Sequence, residues 1–436
     1  MADMKELIRL MKELEDQLVV CMRCGMCQAV CPLYAQTGRE ADVARGKLAL
    51  LDGLLQEMFD DPDGVNERLN RCLLCGSCAA NCPSGVKALE IFLKARALLT
   101  GYMGLPPLKK IILRGMLARP ERLDRLASWA AKMQKLGVRP VNEIVGTSCA
   151  RFMSPFPENI ITHRHFKPLA DKPFHKQMPA LNSAPADEAP KVAFYVGCLI
   201  DKIYPDIARA TIDVLHYHGV GVYMPEGQGC CGIPALSSGD TATFAKLLRH
   251  NVRKLEAEKT DYLVTACATC TSVIKEMWPV MAADQDEAFQ EAVQALSAKT
   301  LDINQFLVSK VGLKKNVPNP DKPSATVTYH DPCHLKKTMG VFAEPRAVIE
   351  AAEGYKLVEM DEADACCGMG GSFNLQYYSI SADIGKKKCA DILATGCSVL
   401  ATGCPACMMQ ISDALSQAGA KIAVKHPIEL YAEMVH

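Results

Sequence analysis

Eight cysteines in two copies of one spacing constrain this chain more than any other feature. Cys21-x2-Cys24-x2-Cys27-x3-Cys31-Pro32 returns 51 residues later as Cys72-x2-Cys75-x2-Cys78-x3-Cys82-Pro83. Three thiols on one tight turn, with a fourth a few residues on, is the way a chain grips a cubane iron–sulfur cluster. Paired runs imply two [4Fe–4S] clusters in which each run lends its fourth cysteine to the other. The expected sets are Cys21, Cys24, Cys27 and Cys82 for one cluster, and Cys72, Cys75, Cys78 and Cys31 for the second. A chain with two such clusters moves single electrons.

The chain is 436 residues long, enough for two to four domains, and carries 21 cysteines. Short C-x2-C spacings in so long a chain favour metal or redox chemistry in a reducing compartment over a disulfide scaffold. Basic and acidic residues balance at 49 each, which argues against a general nucleic-acid binder. The first twenty residues place Met4, Leu7, Met11, Leu14 and Leu18 at helical spacing among charges, unlike a signal peptide. No stretch reaches the ~18 apolar residues that span a bilayer. The expected location is cytoplasmic, or peripheral on the cytoplasmic membrane face through a partner.

Four regions are expected. Residues 1–100 form a helical ferredoxin domain, because helical patterns surround both cysteine runs. Residues 101–190 hold a basic helical segment and a proline-rich connector. In the basic part, Lys109, Lys110, Arg114, Arg119, Arg122, Arg125, Lys132, Lys135 and Arg139 face only Glu121 and Asp124. A helical hairpin packed between domains, with its charges in water, is preferred there over a face for anionic lipid. His163, His165 and His175 in the connector read as solvated loop residues.

From residue 191 the chain repeats itself. Strand Lys191–Gly197 leads to Cys198, a helix and short strand lead to Cys230-Cys231-Gly232, and strand Asp261–Ala266 leads to Cys267-x2-Cys270. Cys333, Cys366-Cys367-Gly368 and Cys404-x2-Cys407 follow at offsets of 135, 136 and 137. Even the ends match, Asp302-Ile-Asn-Gln-Phe with His426-Pro-Ile-Glu-Leu. Strands alternating with helices imply two pseudo-symmetric open α/β units, 191–320 and 321–436. The fold class is thus α+β multidomain. The cysteines fall where strands end and helices begin, where ligands gather in open sheets and thiolates are favoured. Glycine after each doublet is expected to let the backbone pass close to an inorganic core.

The doubled pattern, Cys-x31-Cys-Cys-Gly…Cys-x2-Cys with x32 in the second copy, resembles the CCG domain family, shared by heterodisulfide reductase subunits and glycolate oxidase or D-lactate dehydrogenase iron–sulfur subunits. The N-terminal runs, Arg45-Gly46 and the segment Arg71–Val86 point most closely to the latter, and the likeness covers nearly the whole chain. The resemblance implies that Cys198, Cys230, Cys231, Cys267 and Cys270 hold one further iron–sulfur cluster. Cys333, Cys366, Cys367, Cys404 and Cys407 would hold another, in each case of the non-cubane [4Fe–4S] kind. A metal-free, zinc or plain cubane site in one of them stays open.

The resemblance further implies an FAD-bearing partner that oxidises a 2-hydroxy acid, D-lactate or glycolate, with electrons leaving toward quinone or another membrane acceptor. In the chain itself, Gly227-x-Gly229-x-x-Gly232 is a poor dinucleotide motif, since the cysteine doublet fills its variable positions. The second reading is a heterodisulfide-reductase-type subunit whose thiol–disulfide chemistry centres on Cys367 or Cys231. The third is a zinc scaffold. His330 and His334, flanking Cys333, could serve a cluster or a proton relay, although ordinary hydrogen-bonded histidines are the simpler reading. Cys149, Cys389 and Cys397 read as buried structural thiols.

Overall fold

The structure, a computed structural model, describes residues 4–151, 164–314 and 325–435, with side chains from Met11 onward. Four main helices frame the N-terminal module: Met4–Leu18, Ala44–Leu55, Pro62–Asn70 and Ala88–Met103. Leu14 and Leu18 on the first helix are buried with Leu48, Leu51, Leu69, Ile91, Phe92 and Leu99. The helical apolar spacing of the N-terminus thus serves a packed core. Both cysteine runs adopt the same backbone: Arg23 and Leu74 have φ of 57° and 53°, and Gly25 and Gly76 have 87° and 75°. Left-handed conformations at matching sites in both runs, two of them at non-glycine residues, mark a turn held to one shape by what it must bind.

A two-stranded antiparallel hairpin follows the module, β1 (Val138–Asn142) with β2 (Thr147–Ala150). The first large sheet contains β3 (Leu181–Asn182), β4 (Lys191–Tyr195), β5 (Gly221–Met224), β6 (Tyr262–Thr265) and β7 (Thr300–Asp302). The second contains β8 (Ala325–Tyr329), β9 (Tyr355–Leu357), β10 (Val399–Ala401) and β11 (Ala423–Lys425). Their orders are β3-β5-β4-β6-β7 and β11-β10-β8-β9. Leaving out the edge strand β3, each unit reads second-first-third-fourth, with all pairs parallel. The duplication therefore holds at the level of topology, and helices supply the crossovers that parallel pairing needs.

The matched ends of the two units are matched N-caps. Asp302 accepts from the Asn304 amide and opens helix Ile303–Phe306, and His426 accepts from the Ile428 amide and opens helix Pro427–Ala432. In both units the expected cysteines sit beyond the carboxyl ends of the first three strands. That is the crevice where the strand order switches direction, the usual place for a ligand in an open sheet.

The connector is more structured than its prolines suggest. It contributes helix Phe174–Gln177 and the edge strand β3, antiparallel to β5. Two of its histidines are tied to protein partners. His165 Nδ1 lies 2.9 Å from Ser416 Oγ, and His175 Nδ1 lies 2.9 Å from the Asp201 carboxylate, both half-buried. Pro155, Pro157 and His163 lie outside the described residues. Proline signalled extension correctly for one edge, but the partners of these histidines come from elements 26 or more residues away and have no local trace.

Arg96 ties the module to the first α/β unit. It is 2% exposed and donates to the carbonyls of Ser237 (2.8 Å), Leu69 (2.5 Å) and Cys72 (3.0 Å). A Cβ on Gly239 would lie 2.3 Å from the Arg96 carbonyl, so the two backbones touch where only glycine fits. Removing the guanidinium leaves buried carbonyls without donors. Arg96→Leu is expected to cost roughly 2–4 kcal/mol, seen as a lowered denaturation midpoint of the anaerobically prepared protein. An unchanged midpoint would show that this contact is not structural.

Candidate metal centres

Four groups of thiols form along the molecule. Cys21, Cys24, Cys27 and Cys82 line one recess, together with Arg45, Leu48 and Val86. Cys31, Cys72, Cys75 and Cys78 line a second, with Lys47, Leu74 and Phe92. Each recess draws its fourth cysteine from the opposite run, and Cys78 borders both. Backbone amides point at several sulfurs: Tyr34 N–H at Cys31 (3.5 Å), Leu74 N–H at Cys72 (3.4 Å) and Val86 N–H at Cys82 (3.4 Å).

Helix Ala44–Leu55 delivers one cation to each recess. Arg45 Nη1 donates to the Arg23 carbonyl (3.2 Å), and the buried Lys47 ammonium donates to the Asp42 carbonyl. Gly46 stands between them because a Cβ there would overlap the Glu40 carbonyl at 2.0 Å. The Arg45-Gly46-Lys47 segment is therefore a packing and charge device. The lysine was the functional residue that spacing alone did not single out.

In the first α/β unit, Cys198 Sγ is 3.7 Å from Cys230 Sγ, and Cys231 is in hydrogen-bond contact with Cys230 and Cys270. Cys270 in turn touches Cys267. In the second unit Cys366 touches Cys333 and Cys367, Cys367 touches Cys407, and Cys407 touches Cys404. Cys230, Cys231, Cys267, Cys270 and all five thiols of the second set are buried, whereas Cys198 is half-buried. The second cysteine of each doublet is drawn toward thiolate. Hydrogen bonds from Cys230 and Cys270 lower the Cys231 thiol, and those from Cys366 and Cys407 lower Cys367. These are the two residues singled out for thiol–disulfide chemistry.

The two sets meet back to back. Cys267 and Cys404 are in contact, the Ala268 amide donates to the Gly403 carbonyl (3.0 Å), and Thr269 Oγ1 lies 3.5 Å from Cys404 Sγ and 3.1 Å from His334 Nδ1. The second set also meets the ferredoxin module, where Cys75 and Cys366 are in hydrogen-bond contact. Around that contact Leu33, Leu73, Phe373 and Ile384 form an apolar cluster. In space the groups therefore run from Cys24, exposed at one end, through Cys75 and Cys366, then Cys404 and Cys267, to Cys198 at the other. The later half of the repeat is the nearer one to the N-terminal module.

The units differ beneath their sulfurs. Tyr195 ends β4 under the first set, and its hydroxyl donates to the Gly229 carbonyl (2.7 Å). The matching position is His330, fully buried, with Nδ1 3.2 Å from the Ala363 carbonyl. A ring nitrogen of His330 and the sulfurs of Cys367 and Cys407 lie within 4.8 Å of one another. His330 is thus part of the second sulfur site rather than an incidental core histidine.

The glycines after the doublets answer to both protein and sulfur. Gly232 and Gly368 have φ of 100° and 92°, and a Cβ would strike the Phe244 ring at 2.5 Å or the Ser381 carbonyl at 2.6 Å. Their backbone amides turn to the doublets: Gly368 N–H donates to Cys366 Sγ at 3.4 Å, and Gly232 N–H is hydrogen-bonded to Cys230. A Cβ on Gly197 would lie 3.1 Å from Cys270 Sγ.

A cleft opens beside Cys198 and Cys230, walled by Phe174, Met178 and Leu123. At its rim Lys202 Nζ binds Asp124 (2.6 Å) and Asp201 (2.5 Å), with His175 on Asp201. The lysine ammonium bridges the two carboxylates. Cys149, Cys389 and Cys397 are buried; Cys149 accepts from Arg139 Nε at 3.3 Å, and Cys389 and Cys397 pack in the same apolar cluster as Cys367, Cys404 and Cys407.

The donor chemistry fits iron–sulfur groups. Four cysteine sulfurs converge in each N-terminal recess and five in each α/β unit, backed by amide donors and cations and shielded by apolar side chains. Fold and sites together define an iron–sulfur protein of the electron-transfer class, a helical two-cluster module carrying paired cysteine-rich α/β domains. The 4Fe-4S dicluster domain family matches residues 17–86, and the cysteine-rich CCG domain family matches 192–275 and 327–412.

The chain is 28% identical to a probable glycolate oxidase iron-sulfur subunit of Bacillus subtilis over 99% of its length and 97% of that protein's. It is 31% identical to lactate utilization protein A of Halalkalibacterium halodurans, over 55% of this chain and 96% of that one. With a dihydromethanophenazine:CoB–CoM heterodisulfide reductase subunit of Methanosarcina barkeri it shares 27% over 96% and 94%. The chain belongs to this family of iron–sulfur subunits of oxidoreductases. A crystal structure of a hypothetical protein from Helicobacter pylori shares the fold at 10% identity, with a TM-score of 0.53 over all of this chain and 77% of that one.

The buried Lys47 charge beside Cys31 and Cys72 favours the more negative, reduced state of whatever those sulfurs hold. Lys47→Met is expected to lower the reduction potential of that centre by roughly 30–60 mV in an EPR-monitored titration. The centre at Cys21 and Cys24 should keep its potential.

Proposed function

We propose that this chain is the electron-transfer subunit of a flavin-dependent 2-hydroxy-acid dehydrogenase, acting on D-lactate or glycolate. A separate FAD-bearing partner oxidises the substrate, and this chain carries the electrons onward to quinone or another membrane acceptor. The observation that supports this best is the continuous line of thiol groups from Cys24 to Cys198. On this reading Cys21, Cys24, Cys27 and Cys82 hold one [4Fe–4S] cluster, and Cys72, Cys75, Cys78 and Cys31 the second. The sets of five at Cys198 and Cys333 hold one further cluster each, and the units divide near residues 100, 190 and 320.

When bound, such clusters supply one-electron chemistry without proton bookkeeping. The chain's own residues do the rest. Arg45 and Lys47 offset negative charge, Leu33, Leu73, Phe373 and Ile384 exclude water between centres, and the amides of Tyr34, Leu74 and Val86 hydrogen-bond to sulfur.

The two surface ends, at Cys24 and Cys198, are the docking points for donor and acceptor. Met22 and Met26 beside Cys24 are 68% and 53% exposed and suit a protein partner. The names of the relatives supply the substrate class.

A second reading keeps a specific observation in its favour. Both five-cysteine sets are complete, and in both the second doublet cysteine is drawn toward thiolate. Under that reading Cys231 or Cys367 takes part in thiol–disulfide exchange, as the relationship to the Methanosarcina barkeri heterodisulfide reductase would suit.

Two measurements decide. Anaerobic co-purification with the neighbouring flavoprotein, with iron and flavin counted, is expected to give a complex whose lactate- or glycolate-dependent reduction of a quinone analogue needs this chain. Equal quinone reduction without it would refute the proposal, as would disulfide reduction as the sole activity. In the isolated chain, Cys82→Ser is expected to perturb the EPR signal of the centre at Cys21, Cys24 and Cys27, though Cys82 belongs to the other run. Loss of the other centre's signal instead would overturn the crossed assignment.

A further inference from the structure

The segment between the module and the first α/β unit carries an apolar surface that nothing among the described residues covers. In helix Pro120–Gly137 the inward positions are Pro120, Leu123, Asp124, Ala127 and Ala131, with the two alanines buried. Leu126, Trp129, Met133 and Leu136 recur at three- and four-residue spacing on the opposite side and are 38%, 61%, 44% and 65% exposed. The neighbouring helical stretch 107–117 repeats the arrangement. Leu113 is buried and Arg114 is fixed to Asp240 at 3.0 Å, while Leu108 and Ile111 are 66% and 62% exposed. A hairpin packed between domains would bury these side chains, and the structure leaves them in water.

Charge identifies what covers them. The whole chain is neutral, yet residues 101–140 hold nine basic residues against two acidic ones. Arg119, Arg122, Arg125 and Lys132 are exposed around the apolar stripe. An apolar stripe containing tryptophan and edged by arginine and lysine is built to lie in the plane of a bilayer surface. Anionic headgroups match its charge, each basic residue adding to the attraction. Among the described residues no helix is long and apolar enough to cross a membrane, so this face would rest on the bilayer.

We propose that Leu126, Trp129, Met133 and Leu136, with Leu108 and Ile111 and their basic surround, form a docking face for an anionic lipid surface. The face is set on a helix whose other side, through Pro120, Leu123 and Asp124, walls the cleft at Cys198 and Cys230. Docking therefore brings the Cys198 end of the sulfur line to the membrane. The inference rests on the electron-transfer reading only for that consequence, and the lipid contact stands apart from it.

Tryptophan reports the contact directly. The chain has two, and Trp278 is fully buried with Nε1 on the Cys231 carbonyl (3.1 Å), so only Trp129 can meet lipid. The holoprotein, prepared anaerobically, is mixed with vesicles of phosphatidylcholine alone or with phosphatidylglycerol. Sedimentation with the anionic vesicles and quenching of Trp129 by brominated lipid are expected.

Trp129→Glu with Leu136→Glu should weaken partitioning by at least about tenfold, and Arg125→Gln with Lys132→Gln should remove most of the anionic preference. Dye reduction in solution, with the FAD-bearing partner and a 2-hydroxy acid as electron source, should be unchanged in both variants. No vesicle binding by the wild-type protein, or binding indifferent to the glutamate pair, overturns the lipid face, as does capture by an acidic protein in place of vesicles. Failure of dye reduction in the wild type would instead strike the electron-transfer reading and leave the lipid result standing.

Discussion

The contact between Cys75 and Cys366 is what turns two kinds of domain into one conductor. It brings a thiol of the ferredoxin module against a thiol of the second α/β unit inside a seam of Leu33, Leu73, Phe373 and Ile384. The seam is close enough that a Cβ on Gly370 would lie 2.7 Å from Leu73, and Lys337 reaches across it to Ser77 at 2.8 Å. Apolar burial supplies the adhesion there, and the glycine lets the surfaces close. Arg96, on the other flank, fixes the same module to the first unit. The module is therefore clamped between both halves of the repeat, with its second recess aimed at one of them.

That clamp explains why the pseudo-symmetry of the repeat is broken where it matters. Two equal units would present two equal sulfur sets. Here one set borders the ferredoxin module and is wholly buried, while the other ends at the half-buried Cys198 beside a cleft. The substitutions between copies follow this division. Ala268 donates its amide to Gly403, but its counterpart is Pro405, which has no amide to give back. Tyr195 is satisfied by a backbone carbonyl in the outer unit, and its counterpart His330 turns a nitrogen toward Cys367 and Cys407 in the inner one. On the proposed reading these are the different surroundings of an inner relay and an outer terminus.

Much of this was legible in the sequence because cysteine spacing is a local property. The two matching cysteine turns, the alternation of strands and helices in both units and the matched ends at Asp302 and His426 all rest on residues close together in the chain. What spacing could not give was the order of the sites in space, since that depends on the seam between Leu73 and Phe373, some 300 residues distant in sequence. The hairpin Val138–Asn142 with Thr147–Ala150 was hidden because Pro140 and Arg139 argue against a strand. His175 gave no sign of Asp201, which lies on another element, and the packing of the doublet glycines on Phe244 and Ser381 left no local trace beside their expected approach to sulfur.

Chain order and the spatial order of the sulfur sets thus part company, and the reason is geometric. The two α/β units are joined to the module through a basic segment and a connector of some 90 residues, long enough for either to reach it. If the first unit had docked on the second recess, the terminal cleft would belong to the second unit, far from the helix Pro120–Gly137. As built, that helix walls the cleft of the first unit and carries the exposed stripe around Trp129 on its outer side. The inverted order therefore places the exit of the sulfur line next to the strongly basic, apolar surface of the segment that connects the domains. A neutral chain has concentrated its positive charge beside the cleft at its last thiol.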